Sequence, residues 1–395
     1  MKSNWNYRAA FAPAFLLAAA AVYAQTAQTA AYMTPAEISI RKAQEQLAKQ
    51  PGHTSYCTAL AMAYARRARE TSDVGYYSKA EETLERCLKI EPNSFEVLKV
   101  RTWLLLGRHE FAKALEAAKS LNQRAPDDIT VYGYLADANA ELGNYEDAVK
   151  AAQWMLNLQP GNIAGLTRAA YLRELHGDLP GALELMHMAY DATSFQESED
   201  RAWLLTQIAH LHLLSGDVEE AGMYASGALG LFPGYHYALG MLAQVRLGQN
   251  RVDEAISLLK TRYAAAPNAE NLFAFGEALS RAGREHDAAE TFAAFEQKAL
   301  LESKISDNAN HELIAYYVDY AHKPAQALEI ATEELARRRD AFTLDAFASS
   351  LAANGKYADA ERIIRKALAF GITDPKVLRH ASEIAERLRS DIASR

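Results

Sequence analysis

The chain carries 11 histidines, and the first question is whether any of them stands where chemistry could be done. His311 and Glu312 begin the zinc pattern H-E-x-x-H, in which two histidines one helical turn apart share a metal and the glutamate acts as base. Ala315 stands where the second histidine is needed, so the metal would lack a ligand. His210 and His212 are two residues apart, which on a helix points them to different faces. No G-x-S-x-G, P-loop or G-x-G-x-x-G run is present. The two cysteines, Cys57 and Cys87, are too few for a cysteine-rich zinc site. No catalytic residue, metal or cofactor is therefore expected, and each histidine reads as an ordinary helix-face residue.

Charge and composition narrow the class further. The chain has 42 basic and 50 acidic residues and a net charge of −8. A nucleic-acid partner calls for a basic excess, so none is expected. About one residue in five is alanine, while glycine (20) and proline (11) are scarce, which favours helix and excludes collagen-like or Pro/Gly-rich disordered chains. A hydrophobic content of 50% supports a core along the whole length.

The elements that would position a binding surface come from a period. Pro92, Pro126 and Pro160 stand 34 apart, as do Pro233 and Pro267. Ala80, Ala114, Ala148 and Ala182 keep the same step, and the series resumes at Ala221, Ala255, Ala288, Ala327 and Ala360. Gly143, Gly177 and Gly216 each precede one of these alanines by five residues. Within 129–162 the spacing predicts a helix, a tight turn at Gly143 and a second helix stopped at Pro160. Glycine takes the left-handed cap cheaply, and proline cannot continue the hydrogen-bond ladder. Small alanines let the paired helices approach closely.

This pattern resembles the tetratricopeptide repeat. Unit 129–162 matches most of the family's slots. Unit 341–374 matches through Leu344, Phe347, Ala348, Leu351, Gly355, Tyr357, Ala360, Ile364 and Ala367, and unit 269–302 through Leu272, Phe275, Gly276, Leu279 and Gly283. Nine units begin near 54, 95, 129, 163, 202, 236, 269, 308 and 341. The resemblance implies an all-α, right-handed solenoid with end-capping helices. Departures fall at an insertion over 66–75, at the acidic loop 196–201, at a helix running on through 297–304, and at unit eight, where Pro324 and Arg339 occupy the tyrosine and proline slots.

In the repeat register Cys57 and Cys87 take facing slots of the first unit. Two readings stay open: a disulfide between adjacent helices, or two small buried thiols.

In the family, the first helices of successive units line a concave groove. Here the groove slots hold Trp103, Tyr171, Trp203, His210, Tyr237, Phe273, Tyr316, Tyr320 and Phe342. Large aromatics at such positions are common anchors for a peptide or protein, although a tight superhelix could bury them between units. Charge along the groove is graded. Arg66 and Lys99 sit toward the N-terminal end, and Glu270, Glu277, Glu312, Asp319 and Asp345 toward the other. That grading reads as a solvated face or as a seat for a basic ligand segment. The carboxylate clamp of some family members is absent, because Trp103 replaces its basic residue.

The ends complete the division of the chain. Residues 1–24 read as a secretory signal, with Lys2 and Arg8 before an apolar stretch and Ala24 at the cut. The product is then expected to be exported, into a periplasm or beyond, with no integral membrane segment after cleavage. Residues 25–53 hold one helix opened by Thr34, Pro35 and Glu37, a capping box with proline at the first helical position. Residues 54–374 form the solenoid, and 375–395 a capping helix whose outer face carries Lys376, Glu383, Glu386 and Arg387. The leading expectation is a non-catalytic scaffold binding a protein or extended peptide in its groove, in envelope assembly or secretion. The alternative is a small-ligand-binding protein or enzyme with a pocket in the irregular region 296–340, using His311, Tyr316 and Tyr320. Self-assembly through unit ends or the 66–75 insertion is a third.

Overall fold

The computed structural model describes residues 33–305 and 307–394, so the expected leader at 1–24 lies outside the described residues. All described elements are helical. The first helix, α1 (Pro35–Lys49), opens on the Thr34–Glu37 capping box. Nine helix hairpins follow: α2 (Thr54–Thr71) with α3 (Gly75–Ile90), α4 (Phe95–Gly107) with α5 (Phe111–Arg124), α6 (Ile129–Glu141) with α7 (Tyr145–Leu158), α8 (Ile163–Leu175) with α9 (Leu179–Ala192), and α10 (Ser198–Leu214) with α11 (Val218–Leu231). Then come α12 (His236–Gly248) with α13 (Val252–Ala265), α14 (Ala269–Arg281) with α15 (Glu285–Glu302), α16 (Asn310–Ala315) with α17 (Pro324–Arg337), and α18 (Ala341–Ala353) with α19 (Tyr357–Leu368). The last helix is α20 (Pro375–Ser394). Each helix packs chiefly on its neighbours in the chain, as an α-solenoid requires.

Local chemistry accounts for the boundaries. Asp128, Asn162, Asp178, Asn268 and Asp340 cap their helices by accepting hydrogen bonds from first-turn backbone N–H groups. The alanine ladder from Ala80 to Ala360 is between 0% and 3% exposed at every step, which is where paired helices touch. Where a hairpin turn lacks glycine, Ser72, His109, Asn250 and His322 take the left-handed conformation instead.

The insertion at 66–75 mostly lengthens α2. α10 starts earlier than the repeat predicts, and the Arg201 guanidinium lies over Tyr190 and Phe195 at its entry. The eighth hairpin is the irregular one: α16 passes into a π-helical turn, Tyr316–Tyr320, before Pro324 opens α17. Cys57 and Cys87 are joined by a disulfide, with Cα atoms 6.1 Å apart.

The solenoid coils back on itself. The turn edge of each early hairpin meets the entry edge of a hairpin one superhelical turn later. Arg339 N–H donates to Glu141 O at 3.0 Å. Arg338 pairs with Glu141 at 2.5 Å, a separation of 197 residues, and Ala341 N–H donates to the Tyr145 hydroxyl at 3.0 Å. Tyr145 also meets Phe370 edge-on, and Thr373 packs against Gly177. Residues of α6 to α8 and of α18 to α20 consequently share one core.

The seam starts at the N-terminal end, where Arg66 and Arg69 pair with Glu197, Glu199 and Asp200. Tyr235 donates to Glu199 there, and His236 donates to Arg69 O.

Two stability measurements test this account. A Cβ on Gly143 would lie 2.6 Å from Arg339 O, whereas one on Gly283 meets nothing within 4 Å; both glycines have positive φ. Gly283→Ala should therefore cost roughly 1 kcal/mol in urea denaturation, the left-handed penalty alone. Gly143→Ala should cost roughly 2–3 kcal/mol because the second turn must also shift; equal losses would refute the seam. Separately, reducing the Cys57–Cys87 bridge, which closes a 30-residue separation, should cost about 3–4 kcal/mol.

Candidate functional site: the inner face and its two cavities

Two cavities open among the hairpins. One, of about 590 Å³, lies at the C-terminal end between the π turn, α18 and α20; its walls include His311, Asp319, Phe342, Asp345, Lys376 and His380. The other, of about 680 Å³, lies in the seam; its walls include Tyr77, Trp103, His109, Tyr237, Glu270 and Asp307. Glu312 lines neither cavity. It is within electrostatic reach of Glu270, which lines the seam cavity, and of Lys376, which lines the C-terminal one.

The aromatic residues at groove slots are dispersed rather than gathered. Trp103 and Tyr237 line the seam cavity, and the Tyr237 ring packs at a tilt against His236 with centroids 4.0 Å apart. Phe342 lines the C-terminal cavity while packing, with Tyr171, into the core shared by the two turns. Trp203 is half-buried in the core around α8 to α11 and lines neither cavity. His210 is engaged with Glu174 at 2.8 Å. Phe273 is buried among Phe292 and Phe295, so it serves the core and not a groove surface. Tyr316 and Tyr320 both pack on Phe292, and the wider π turn turns them toward α15. They therefore do not join His311 in one pocket, and the expected constellation of His311, Tyr316 and Tyr320 is not assembled. The C-terminal cavity lies instead mostly beyond 296–340, and Lys376, Glu383 and Arg387, exposed on the capping helix as expected, also border its mouth.

The inner charges are unequal in their engagement. Arg66 is held by Glu197 and Asp200, and Lys99 by Asp128 at 3.0 Å. Several carboxyls lack such compensation. Burial, reinforced by Glu270, pushes the Glu312 carboxyl up to about 7. Burial, then Glu270 and Glu302, push Asp307 up to about 6. Burial also raises Glu277, against the pull of Lys376, and raises Asp319. The nearby histidines give little charge in return. Burial lowers His109 to about 4, and likewise His236.

Geometry also bears on the enzymatic alternative. Ser349, His380 and Asp345 have the residue types of a hydrolase triad. Yet the His380 Nδ1 atom lies 2.9 Å from Asp345 and 3.1 Å from Ser349 Oγ. A triad needs the serine on the other ring nitrogen, so this cluster cannot relay a proton from serine. Thr343 Oγ1 donates to Asp340, so it accepts from the Nε2–H of His311 at 3.0 Å. The sequence placed His311 in a pocket but did not reveal His380 beside it, because the two come from separate helices with no common spacing. Among the described residues no helix is long and apolar enough to cross a membrane.

The tetratricopeptide repeat family matches residues 56–94 and 212–279. No curated protein matches the sequence. Among solved structures, the human IFIT1 dimer with PPP-AAAA is 11% identical, with 86% of this chain and 95% of that chain covered and a TM-score of 0.52. A monomeric IFIT1 mutant with m7Gppp-AAAA is 13% identical, covering 83% and 75%, at 0.53. The APC/C hetero-tetramer Cut9-Hcn1 is 14% identical over 82% of this chain, at 0.49, and this chain spans about 55% of that chain's length. At such identities the likeness concerns fold alone.

The raised carboxyls carry a signed prediction. A carboxyl with a raised folded pKa holds its proton more tightly folded than unfolded. Its stability cost is therefore absent in acid and grows as pH rises from about 4.3 through its folded value. Glu312→Gln should raise Tm at pH 7.5, and the gain should shrink steadily toward pH 4.5. A Tm difference independent of pH would contradict the burial assigned to Glu312.

Proposed function

We propose that this chain, a tetratricopeptide-repeat solenoid, binds an extended protein segment along its inner face. Its repeats make it a protein-interaction scaffold in the general sense. The more specific reading is supported by one observation: two cavities are lined by aromatic rings and by carboxyls that burial raises, and Glu312 interacts electrostatically with residues of both. Aromatic anchors supply burial for a bound side chain, and the surrounding acids set its charge. A polyanion would be repelled there, so no nucleic acid is included among the partners, and the ligands seen with IFIT1 are not carried across. No catalytic role is assigned.

The signal-like residues 1–24 motivate an exported, periplasmic location. The Cys57–Cys87 bridge supports it, since disulfides persist in oxidising compartments. Envelope assembly or secretion is the corresponding setting. A second reading, a small ligand in the C-terminal cavity, is favoured by its volume of about 590 Å³ and its converging His311, His380 and Lys376.

A photocrosslinking amino acid placed at Tyr237 or Phe342 should capture a partner polypeptide in the native compartment. The same probe at the exposed second-helix positions Val149 or Met223 should not. Adducts confined to Val149 and Met223 would overturn the inner-face reading. A small molecule retained in native mass spectrometry and lost with Lys376→Ala would favour the second reading.

A further inference from the structure

The seam skips a hairpin. The end of α2 meets the entries of α10 and α12, in the fifth and sixth hairpins. The next turn edge, at His109 and Phe111, meets Asp307 and Arg338, which flank the eighth. The entry of the seventh hairpin, at Pro267 to Glu270 in the chain, is left facing a gap, and that gap is the cavity of about 680 Å³. The end of the lengthened α2, with Arg69, Thr71 and Ser72, supplies part of its wall.

Its walls have a specific chemistry. Tyr77, Trp103 and Tyr237 border it from three different hairpins. The Tyr77 ring is held close over Gly107, where even a Cβ would come within 3.0 Å of it. The cations at the rim are already engaged: Arg69 by Glu199 and Asp200, Lys298 by Glu302, and Arg262, just outside, by Glu270. Among the described residues, the ion-pair partner of Asp307 is His109 at 3.8 Å. His109 is neutral near pH 7, because burial holds it at about 4, so Asp307 faces no formal positive charge there. Aromatic rings attract a cation through their quadrupole, and a desolvated carboxylate without a cation attracts one more strongly still.

We propose that this gap is a binding site for a lysine or arginine side chain of an extended peptide, with Asp307 as its counter-ion and Tyr77, Trp103 and Tyr237 as its aromatic walls. This deepens the inner-face reading above and rests on it. The side chain enters between the two superhelical turns, and the volume leaves room for part of the peptide backbone beside it. A bound cation offsets the effect of Glu270 and Glu302 on Asp307. An acidic segment meets the opposite field and is rejected.

The test uses the full chain, Trp fluorescence and calorimetry, with a ten-residue peptide alternating serine and arginine and its serine–glutamate counterpart. The arginine peptide should bind and perturb emission, and the glutamate peptide should not. Asp307→Asn and Tyr237→Phe should both retain the fold by circular dichroism. Asp307→Asn should weaken the arginine peptide about tenfold or more, Tyr237→Phe only slightly, and Tyr237→Ala strongly. Asp319→Asn, at the other cavity, should change affinity less than about twofold. Arginine-peptide binding indifferent to Asp307→Asn but lost with Phe342→Ala would overturn this site while leaving the inner-face reading intact. Equal binding of both peptides, or of neither, would also overturn it. Spermine binding with the arginine peptide excluded would replace the peptide by a free polyamine and refute the assignment.

Discussion

The approach of Arg339 O to the backbone of Gly143 holds the second superhelical turn against the first. Only a residue without a Cβ lets that carbonyl come so near, and beside it the Glu141 carbonyl accepts from the Arg339 N–H. Around this contact the Arg338 guanidinium reaches Glu141 and Asp340 and lies over Phe111. Tyr145 then bridges to Ala341 and Phe370. A solenoid held only by neighbour contacts spreads its stability along one dimension. Edge-to-edge closure adds contacts about 197 residues apart, so hairpins distant in sequence become neighbours in one core.

Closure also sorts the charges. Along the seam, arginines find carboxylates: Arg66 and Arg69 at the start, Arg338 farther along. The cavities keep acids that no arginine pairs directly, Asp307 and Asp319 among them. Their desolvation makes the negative field stronger than net charge alone would suggest, because a charge in a lower-dielectric wall is screened less. The same carboxyls that would attract a cationic ligand weaken the empty protein, a conflict found where binding and stability draw on the same groups. The Ser349–His380–Asp345 cluster illustrates a neighbouring point. Residue types suited to catalysis can meet in space with the wrong nitrogen facing the hydroxyl, and the result is a structural hydrogen bond.

Much of the fold was legible from residues alone. The alanine ladder, the glycine turns and the helix-stopping prolines act within a few residues of themselves, so their positions translate directly into helices. Thr34 and Glu37 form the expected capping box for the same reason. The groove slots were less readable. Trp203 and Tyr237 occupy the same slot in adjacent units, yet Trp203 settles into a core and Tyr237 into a cavity. Phe273 occupies a groove slot but is enclosed by Phe292 and Phe295 of its own hairpin, and the π turn brings Tyr320 edge-on against it. A repeat register states which side of a helix a residue takes. It does not state what lies opposite.

The period, the hairpins and the capped ends were determined by the sequence itself, since each depends on propensities and hydrogen bonds local to one unit. Only the tertiary structure decided which edges meet one superhelical turn apart, where the seam skips a hairpin, and which carboxyls are left without a cation. Those outcomes depend on small rotations accumulated over about six repeats and on the extra length of α2. A 34-residue pattern holds no record of that sum.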